Sequence, residues 1–360
     1  MGDAEVIAKQ LAAGTWQQGE IRLVCTEKWQ ETHDVVSFRF EGTEPVKFNF
    51  KPGQFLTFVL DIKGETVYRS YTISSSPSRP YSLVVTVKRI QDGLVSNYLA
   101  DTLQVGHSVI VNGPSGVFNL VDVPATQKYF FLSAGCGITP MYSMSRWLTD
   151  TQVGADIAFV HCARSPEDVI FKSSLERMAQ NNQEFKLGYV LEQDAERESN
   201  IEQVASGRLN EHTLQQLVPD FKERTVFVCG PEPYMAAMKS MLDELGFNMD
   251  NFHQESFGDP ALVNAKVAVD QSDSLKGFMM KIGDRMRELK SEQTILDGVE
   301  AEGLPMIAAC RSGVCGACKC QVVEGEVEST SQMALTPDEI ANGFVLACST
   351  KLKSDITLKV

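Results

Sequence analysis

The chain has 360 residues, 43% of them hydrophobic and 22% charged, and carries a formal net charge of −14. That length accommodates two or three domains, the composition excludes a disordered chain, and the negative charge argues against a nucleic-acid backbone as partner. The opening residues Met1-Gly2-Asp3-Ala4-Glu5 are acidic and no apolar run approaches membrane-spanning length, so no secretory signal and a cytoplasmic location are expected.

In chain order, residues 1–18 read as a short helix or loose N-terminal arm. Residues 19–124 hold short period-2 segments, Ile21–Val24, Val35–Phe40, Phe55–Leu60, Tyr68–Ile73, Leu83–Val87 and Ser108–Val111, separated by turn signals such as Pro52-Gly53 and Asn112-Gly113-Pro114. This spacing predicts an antiparallel β-barrel domain. Over 125–257 the rhythm changes. Apolar runs at 129–132, 157–160, 187–191 and 226–228 alternate with helical stretches at 139–150, 167–180, 209–217 and 232–245, which predicts an α/β domain built on a parallel sheet. A polar linker, 258–274, leads to a small mixed unit, 275–360. There a strand at 277–282 precedes a helix that starts near Thr294, turns Ile295, Leu296 and Val299 inward and stops at Gly303.

Five of the nine cysteines, at 310, 315, 318, 320 and 348, crowd into the last 51 residues, which suits a metal site better than a disulfide framework. Cys310, Cys315 and Cys318 are spaced C-x4-C-x2-C and Cys348 follows at a distance, the pattern that holds a [2Fe-2S] cluster through four thiolates. Gly313, Gly316 and Ala317 let the backbone wrap closely around an anionic cluster. Structural zinc sites pair C-x2-C knuckles instead. Cys320 reads as a small packed residue. The same region carries nine acids between 291 and 343 against Arg311 and Lys319, either a solvated surface or a field that steers a basic partner.

Three further constellations stand upstream. Arg69-Ser70-Tyr71-Thr72 lies on one strand, so alternation sends Arg69 and Tyr71 to one face, where a guanidinium can hold phosphate and a phenol can stack on a flat ring; an exposed strand is the plain alternative. Gly93 opens a helical stretch through Val95 and Ser96, a place for phosphate at a helix N-terminus. Gly135-Cys136-Gly137-Ile138-Thr139-Pro140 follows the first strand of the α/β domain, and Cys229-Gly230-Pro231 follows the fourth, where parallel sheets bind ligands. A bare helix start and a buried small cysteine are the alternatives there. His33, His107, His161, His212 and His253 read as structural or surface residues.

Taken together these motifs resemble the ferredoxin-NADP reductase superfamily, and 275–360 resembles plant-type ferredoxin, so that the likeness spans about 340 residues. Ala134–Met141, Ser143–Leu148, Asp168–Phe171 and Ala308–Arg311 most resemble the NADH oxidoreductases that serve hybrid-cluster proteins. The resemblance implies an FAD domain on the barrel, an NAD(P) domain on the parallel sheet and a β-grasp ferredoxin domain. It implies that Arg69 holds the flavin pyrophosphate, Tyr71 stacks on the isoalloxazine, Ser70 and Thr72 bond its edge, and the Gly93–Ser96 turn takes flavin phosphate. Gly135, Gly137, Thr139, Pro140, Cys229 and Gly230 would frame the nucleotide, with Tyr71 and Cys229 nearest the hydride transfer, and Phe257 would shield the flavin. Arg164, after the second strand, would read the adenosine ribose; arginine suits a 2′-phosphate, so NADPH stays open beside NADH.

The implied activity is electron transfer from NADH through FAD and [2Fe-2S] to a partner protein. A hybrid-cluster protein is the first expected partner and a Rieske or di-iron oxygenase the second. A non-enzymatic redox module is the third reading, against which the intact motifs speak.

Overall fold

The computed structural model describes residues 12–125, 127–152, 154–197, 203–255, 277–304, 306, 313, 316–332, 335 and 337–359. The chain divides into two compact units, Met1–Val67 with Tyr71–Ser256 and Tyr68–Ser70 with Phe257–Val360. The expected linker and most of the expected N-terminal arm lie outside the described residues. The last part of that arm is a strand: β1 (Gly14–Trp16) pairs in parallel with β4 (Val46–Phe48), and the buried Trp16 ring meets Phe48 edge-on at 5.9 Å. A three-residue strand is too short to show a period, which is why the sequence does not announce it.

The first unit opens with a six-stranded antiparallel sheet. β2 (Gly19–Thr32), β3 (Val35–Gly42), β5 (Phe55–Ile62), β6 (Glu65–Thr72), β7 (Leu83–Lys88) and β8 (Ser108–Ser115) run in the order β6-β5-β8-β2-β3-β7. A bridge from Ile73 to Val85 joins the two edges into the expected barrel. β2 bends at bulges near Cys25 and Gln30, as a long strand in a closed sheet must. The interior is filled by Leu23, Phe38, Phe40, Phe58, Val85 and Val111, each at most 1% exposed. A hydroxyl chain threads the same barrel: Ser37 meets Thr86 at 2.8 Å, Thr86 meets Ser74 at 2.9 Å, and Glu31 accepts from Ser37 at 2.7 Å.

A parallel six-stranded sheet follows in the same unit, β9 (Lys128–Ala134), β10 (Asp156–Ala163), β11 (Phe185–Leu191), β12 (Gln203–Ser206), β13 (Thr225–Cys229) and β14 (Phe252–Glu255). Its order is β12-β11-β10-β9-β13-β14. Strands therefore proceed outward from β9 on one side and resume on its other side, so the order reverses between β9 and β13. The helices are Ile138–Thr151, Lys172–Asn181, Glu211–Leu217 and Glu232–Glu244. The second starts later than the apolar pattern suggests. Phe171 sits at φ +59° and stacks on Tyr142 at 4.0 Å, which stops any helix from running through it. The sheet also has two strands beyond the four apolar runs, β12 and β14. Both are four residues long.

The second unit has a five-stranded sheet ordered β16-β15-β21-β17-β19: β15 (Gly277–Ile282), β16 (Arg285–Lys290), β17 (Lys319–Glu324), β19 (Phe344–Leu346) and β21 (Ile356–Lys359). A separate pair joins β18 (Val327–Ser329) to β20 (Thr350–Leu352). The helix Ile295–Ala301 begins as expected. Thr294 accepts from the Asp297 N–H and the Asp297 carboxylate accepts from the Thr294 N–H, a reciprocal cap. Ile295, Leu296 and Val299 face the core and Gly303 ends the helix at φ +65°.

The parallel sheet is pinned at the amino end of its strands by Arg224. Its side chain is fully buried and donates to Asp220, to Asp156 at 2.7 Å and to the Tyr129 carbonyl at 3.2 Å. Removing one partner of a buried ion network strands the others, at a cost of about 3 kcal/mol. Arg224→Ala is therefore expected to lower unfolding stability by about that amount in denaturant titrations. An unchanged midpoint would show the network to be dispensable.

Candidate functional site

The reversal of strand order brings the two glycine loops together. β9 ends at Ala134, Gly135–Gly137 makes a short 3-10 turn, and the helix Ile138–Thr151 begins at once. No side chain caps this helix start and its first turn has no acid, so its N–H groups present a positive end. The Thr139 hydroxyl donates to the Cys136 carbonyl at 3.1 Å, and Pro140 sits inside the first turn. A Cβ on Gly137 would lie 2.3 Å from the Cys229 carbonyl oxygen and 2.5 Å from the Gly230 nitrogen. Gly137 is thus required by the neighbouring loop. Gly135, at φ +53° with nothing within 4 Å of a Cβ, is the glycine that leaves room for a ligand.

One register row crosses the sheet beneath these loops: Tyr189, His161, Ser133, Cys229 and Glu255 are successive partners on β11, β10, β9, β13 and β14. Register partners in a parallel sheet share a face, so one apolar layer is interrupted by five polar side chains. His161 is fully buried, with Nδ1 2.9 Å from the Ser133 hydroxyl, and burial pushes its pKa down to about 3, so it stays neutral. Burial raises the Cys229 thiol well above its ordinary value, and Glu255 and Cys136 raise it further. Burial likewise pushes Cys136 up to about 11 and Cys162 up to about 12. Cys229 is therefore a neutral thiol at the end of β13, shaped to pack and not to attack. Glu255 was not singled out by sequence, although it stands two residues before Phe257. It is 6% exposed, its Oε2 has no hydrogen-bond partner among the described residues, and burial holds its pKa far above the carboxylate range, so it is a neutral acid.

The barrel contributes its own motif from β6. Arg69 and Tyr71 share the half-buried face, while Ser70 and Thr72 are buried on the other. The Tyr71 ring stands edge-on to Phe58 at 5.7 Å. Thr72 Oγ1 is buried with no partner among the described residues, an orphaned hydroxyl that fits a ring edge offering hydrogen-bond atoms. The helix Leu94–Thr102 starts at Gly93 without a side-chain cap. The left-handed residue of that turn is Asp92, at φ +59°, and not Gly93; a Cβ on Gly93 would meet Ser96 Oγ at 2.7 Å. Ser96 Oγ accepts the Ile90 N–H at 3.2 Å, and Val95 is buried in the barrel core. The two sheets are tied beside the glycine loop: the Cys136 thiol donates to the Thr86 carbonyl at 3.7 Å and the Ser143 hydroxyl to the Ser75 carbonyl at 2.6 Å.

Arg164, after β10, is held between two carboxylates, Asp168 at 3.1 Å and Asp34 of the barrel at 3.5 Å. Burial alone would raise Asp34, but the Lys88 ammonium bonded to it at 3.1 Å brings its pKa below the ordinary value. His33, Asp34 and Asp168 have ligand atoms within 4.8 Å of one another, yet Lys88 and Arg164 already occupy these carboxylates. The cluster is an ion-pair network.

Cys310, Cys315 and Phe257 lie outside the described residues. Cys318 and Cys348 are buried together: the Cys348 N–H donates to Cys318 Sγ at 3.4 Å, and the Gly313 N–H donates to Cys348 Sγ at 3.2 Å. Two thiol sulfurs side by side with amide hydrogens aimed at them are a donor set that fits a thiolate-held cluster. Cys320 is buried in the sheet against Val345 on β19, and burial first, then Cys318, pushes its thiol up to about 12, as fits a packed residue.

A barrel strand carrying Arg69 and Tyr71 on one face, a parallel sheet with two glycine loops at its switch point, and a unit with two buried cysteines fit a reductase that joins flavin, nicotinamide and iron–sulfur chemistry. The comparisons agree. Family profiles match an oxidoreductase FAD-binding domain at residues 22–120, an oxidoreductase NAD-binding domain at 131–240 and a 2Fe-2S iron-sulfur cluster binding domain at 282–353. A glycine betaine monooxygenase reductase subunit of Chromohalobacter salexigens is 42% identical over 96% of this chain and 96% of that protein. A stachydrine N-demethylase reductase subunit of Rhizobium meliloti is 36% identical over 93% and 95%, and the NADH oxidoreductase HCR of Escherichia coli 34% identical over 86% and 89%. The solved phthalate dioxygenase reductase shares the fold at TM-score 0.58 and 23% identity, covering 95% of this chain and 98% of that one.

The chain belongs to this family of FAD- and 2Fe-2S-containing oxidoreductases. The expected likeness to hybrid-cluster reductases is present, but the match to oxygenase reductases is stronger, so the second reading is better supported than the first.

The neutral Glu255 has a measurable consequence. In the unfolded chain a glutamate ionises near pH 4.5, whereas in the fold it keeps its proton, so above that pH the folded state binds more protons than the unfolded one. Stability is therefore lost as pH rises. Glu255→Gln is expected to flatten that loss as pH rises above about 4.5 in thermal unfolding. A wild-type slope kept intact in the variant would show that Glu255 does not cause it.

Proposed function

We propose that this chain is the reductase component of an oxygenase whose substrate is a betaine, passing electrons from NADH to that oxygenase. The observation that carries this reading is the end-to-end match, 96% of both chains, to a glycine betaine monooxygenase reductase subunit, seconded by the stachydrine N-demethylase reductase subunit. No helix among the described residues is long and apolar enough to cross a membrane, and we assign the chain to the cytoplasm.

In this reading Arg69 holds the flavin pyrophosphate, Tyr71 stacks on the ring, Ser70 and Thr72 bond its edge, and Gly93, Val95 and Ser96 shape the phosphate turn. Gly135, Gly137, Thr139 and Pro140 present the helix start to the nicotinamide nucleotide. Cys229 and Gly230 close the other side, Glu255 offers its acid proton as a donor, and Phe257 shields the flavin. Cys310, Cys315, Cys318 and Cys348 are the cluster ligands. The flavin supplies acceptance of a hydride and the cluster supplies one-electron transfer. The residues supply orientation and exclusion of water, with no nucleophile or general base among them.

The preference for NADH follows from charge. Arg164 would reach the adenosine ribose, but Asp34 and Asp168 already neutralise it, and a 2′-phosphate would meet both carboxylates. Asp34→Asn combined with Asp168→Asn is expected to raise the NADPH to NADH ratio of kcat/KM about tenfold, in assays with an artificial acceptor. A ratio that stays constant would remove Arg164 from the ribose site.

The acceptor is tested by reconstitution. The purified reductase with NADH should reduce a betaine oxygenase rapidly and a hybrid-cluster protein slowly. The reverse order would restore the hybrid-cluster reading.

A further inference from the structure

Gly313 is held by a set of hydroxyls that neither the spacing of the cysteines nor the family match singles out. Gly313 stands at φ +74°, with its N–H donating to Cys348 Sγ at 3.2 Å. From its other side the Ser331 hydroxyl donates to the Gly313 carbonyl at 2.6 Å. Ser331 is held in turn, since the Ser349 hydroxyl donates to its carbonyl at 3.0 Å. One residue back, the Thr330 N–H and hydroxyl both donate to the Ser349 carbonyl, at 2.8 and 3.1 Å. Ser329 and Thr350, paired across β18 and β20, share a hydroxyl contact at 2.8 Å. Two short hydroxyl runs, Ser329-Thr330-Ser331 and Ser349-Thr350, are thus zipped together, and the second begins directly after Cys348. The fit is tight: a Cβ on Gly313 would lie 2.5 Å from Ser349 Oγ and 2.7 Å from Ser331 Cβ.

We propose that Ser331, braced by Ser349, is a positioning residue that keeps the Gly313 N–H on the Cys348 sulfur and thereby raises the reduction potential of the cluster. The inference rests on the reading of Cys318 and Cys348 as cluster ligands. An N–H aimed at a ligand sulfur stabilises negative charge there, and the reduced cluster carries one negative charge more than the oxidised one, so the bond favours reduction. A glycine in a left-handed conformation has wide freedom, and the Ser331 bond to its carbonyl removes it. Without that bond the amide turns away from the sulfur and the potential falls.

The test is an EPR-monitored potentiometric titration of the full-length protein carrying FAD and cluster. At the wild-type midpoint, Ser331→Ala should show a reduced-to-oxidised cluster ratio lowered by threefold to tenfold; tenfold corresponds to about 59 mV for one electron. Ser331→Thr, which keeps the hydroxyl, should restore the wild-type value, and the flavin couple should not move in either variant. A cluster-loaded Ser331→Ala protein that titrates at the wild-type potential overturns the proposal, as does a threonine variant shifted like alanine. Should Ser331→Ala fail to retain a cluster, Ser349→Ala decides. It removes the Ser349 hydroxyl bonds to the Ser331 and Leu346 carbonyls and leaves the Ser331 hydroxyl in place, so it should shift the potential in the same direction by less, and an unmoved potential there is again a refutation. A wild-type protein with no [2Fe-2S] signal would instead defeat the ligand reading itself, a result distinct from an unshifted cluster.

Discussion

The site depends on one steric constraint, the contact of the Gly137 Cα with the Cys229–Gly230 peptide. Because a Cβ there would sit 2.3 Å from a carbonyl oxygen, the two loops at the switch point can touch only through glycine. Their touching brings the uncapped start of the helix Ile138–Thr151, the Cys229 thiol and the Glu255 carboxyl to one place at the carboxyl edge of the sheet. The barrel is then referenced to the same loop through the thiol of Cys136 and, seven residues on, through Ser143. The helix start and the barrel are thereby held to one another by two side-chain hydrogen bonds.

Much of this can be read from sequence because backbone demands leave few choices of residue. The barrel strands, the alternation of Arg69 and Tyr71 against Ser70 and Thr72, the capped helix at Thr294 and the buried role of Cys320 follow from period, cap chemistry and spacing. What could not be read depends on partners far apart in the chain. β1 pairs with a strand 32 residues on, β14 completes a sheet begun at Lys128, and Glu255 becomes a neutral acid only because the fold buries it. The reason for Gly137 is of the same kind. Sequence suggests room for a pyrophosphate, whereas its nearest neighbour is another loop.

Charge counting is similarly revised by contact. Nine acids between residues 291 and 343 suggest a strongly negative surface. Glu302 pairs with Arg287, Glu328 with Lys353 and Glu339 with Lys319, so one third of that count is already answered within the unit. Exposed pairs of this sort add little to stability, but they reduce the field available to draw in a basic partner. The same logic governs Arg164, a cation by sequence that faces Asp34, in the turn after β2, and Asp168, in the short 3-10 turn after β10.

The thiols beside the nucleotide loops carry a last consequence. An enzyme that parks electrons near dissolved oxygen generates some peroxide, and peroxide attacks thiolates far faster than thiols. Cys136, Cys162 and Cys229 are all kept protonated by burial, so three sulfurs within the nucleotide domain are poor targets for oxidative damage. The same desolvation that raises these thiols lowers their reactivity toward oxidant and electrophile alike.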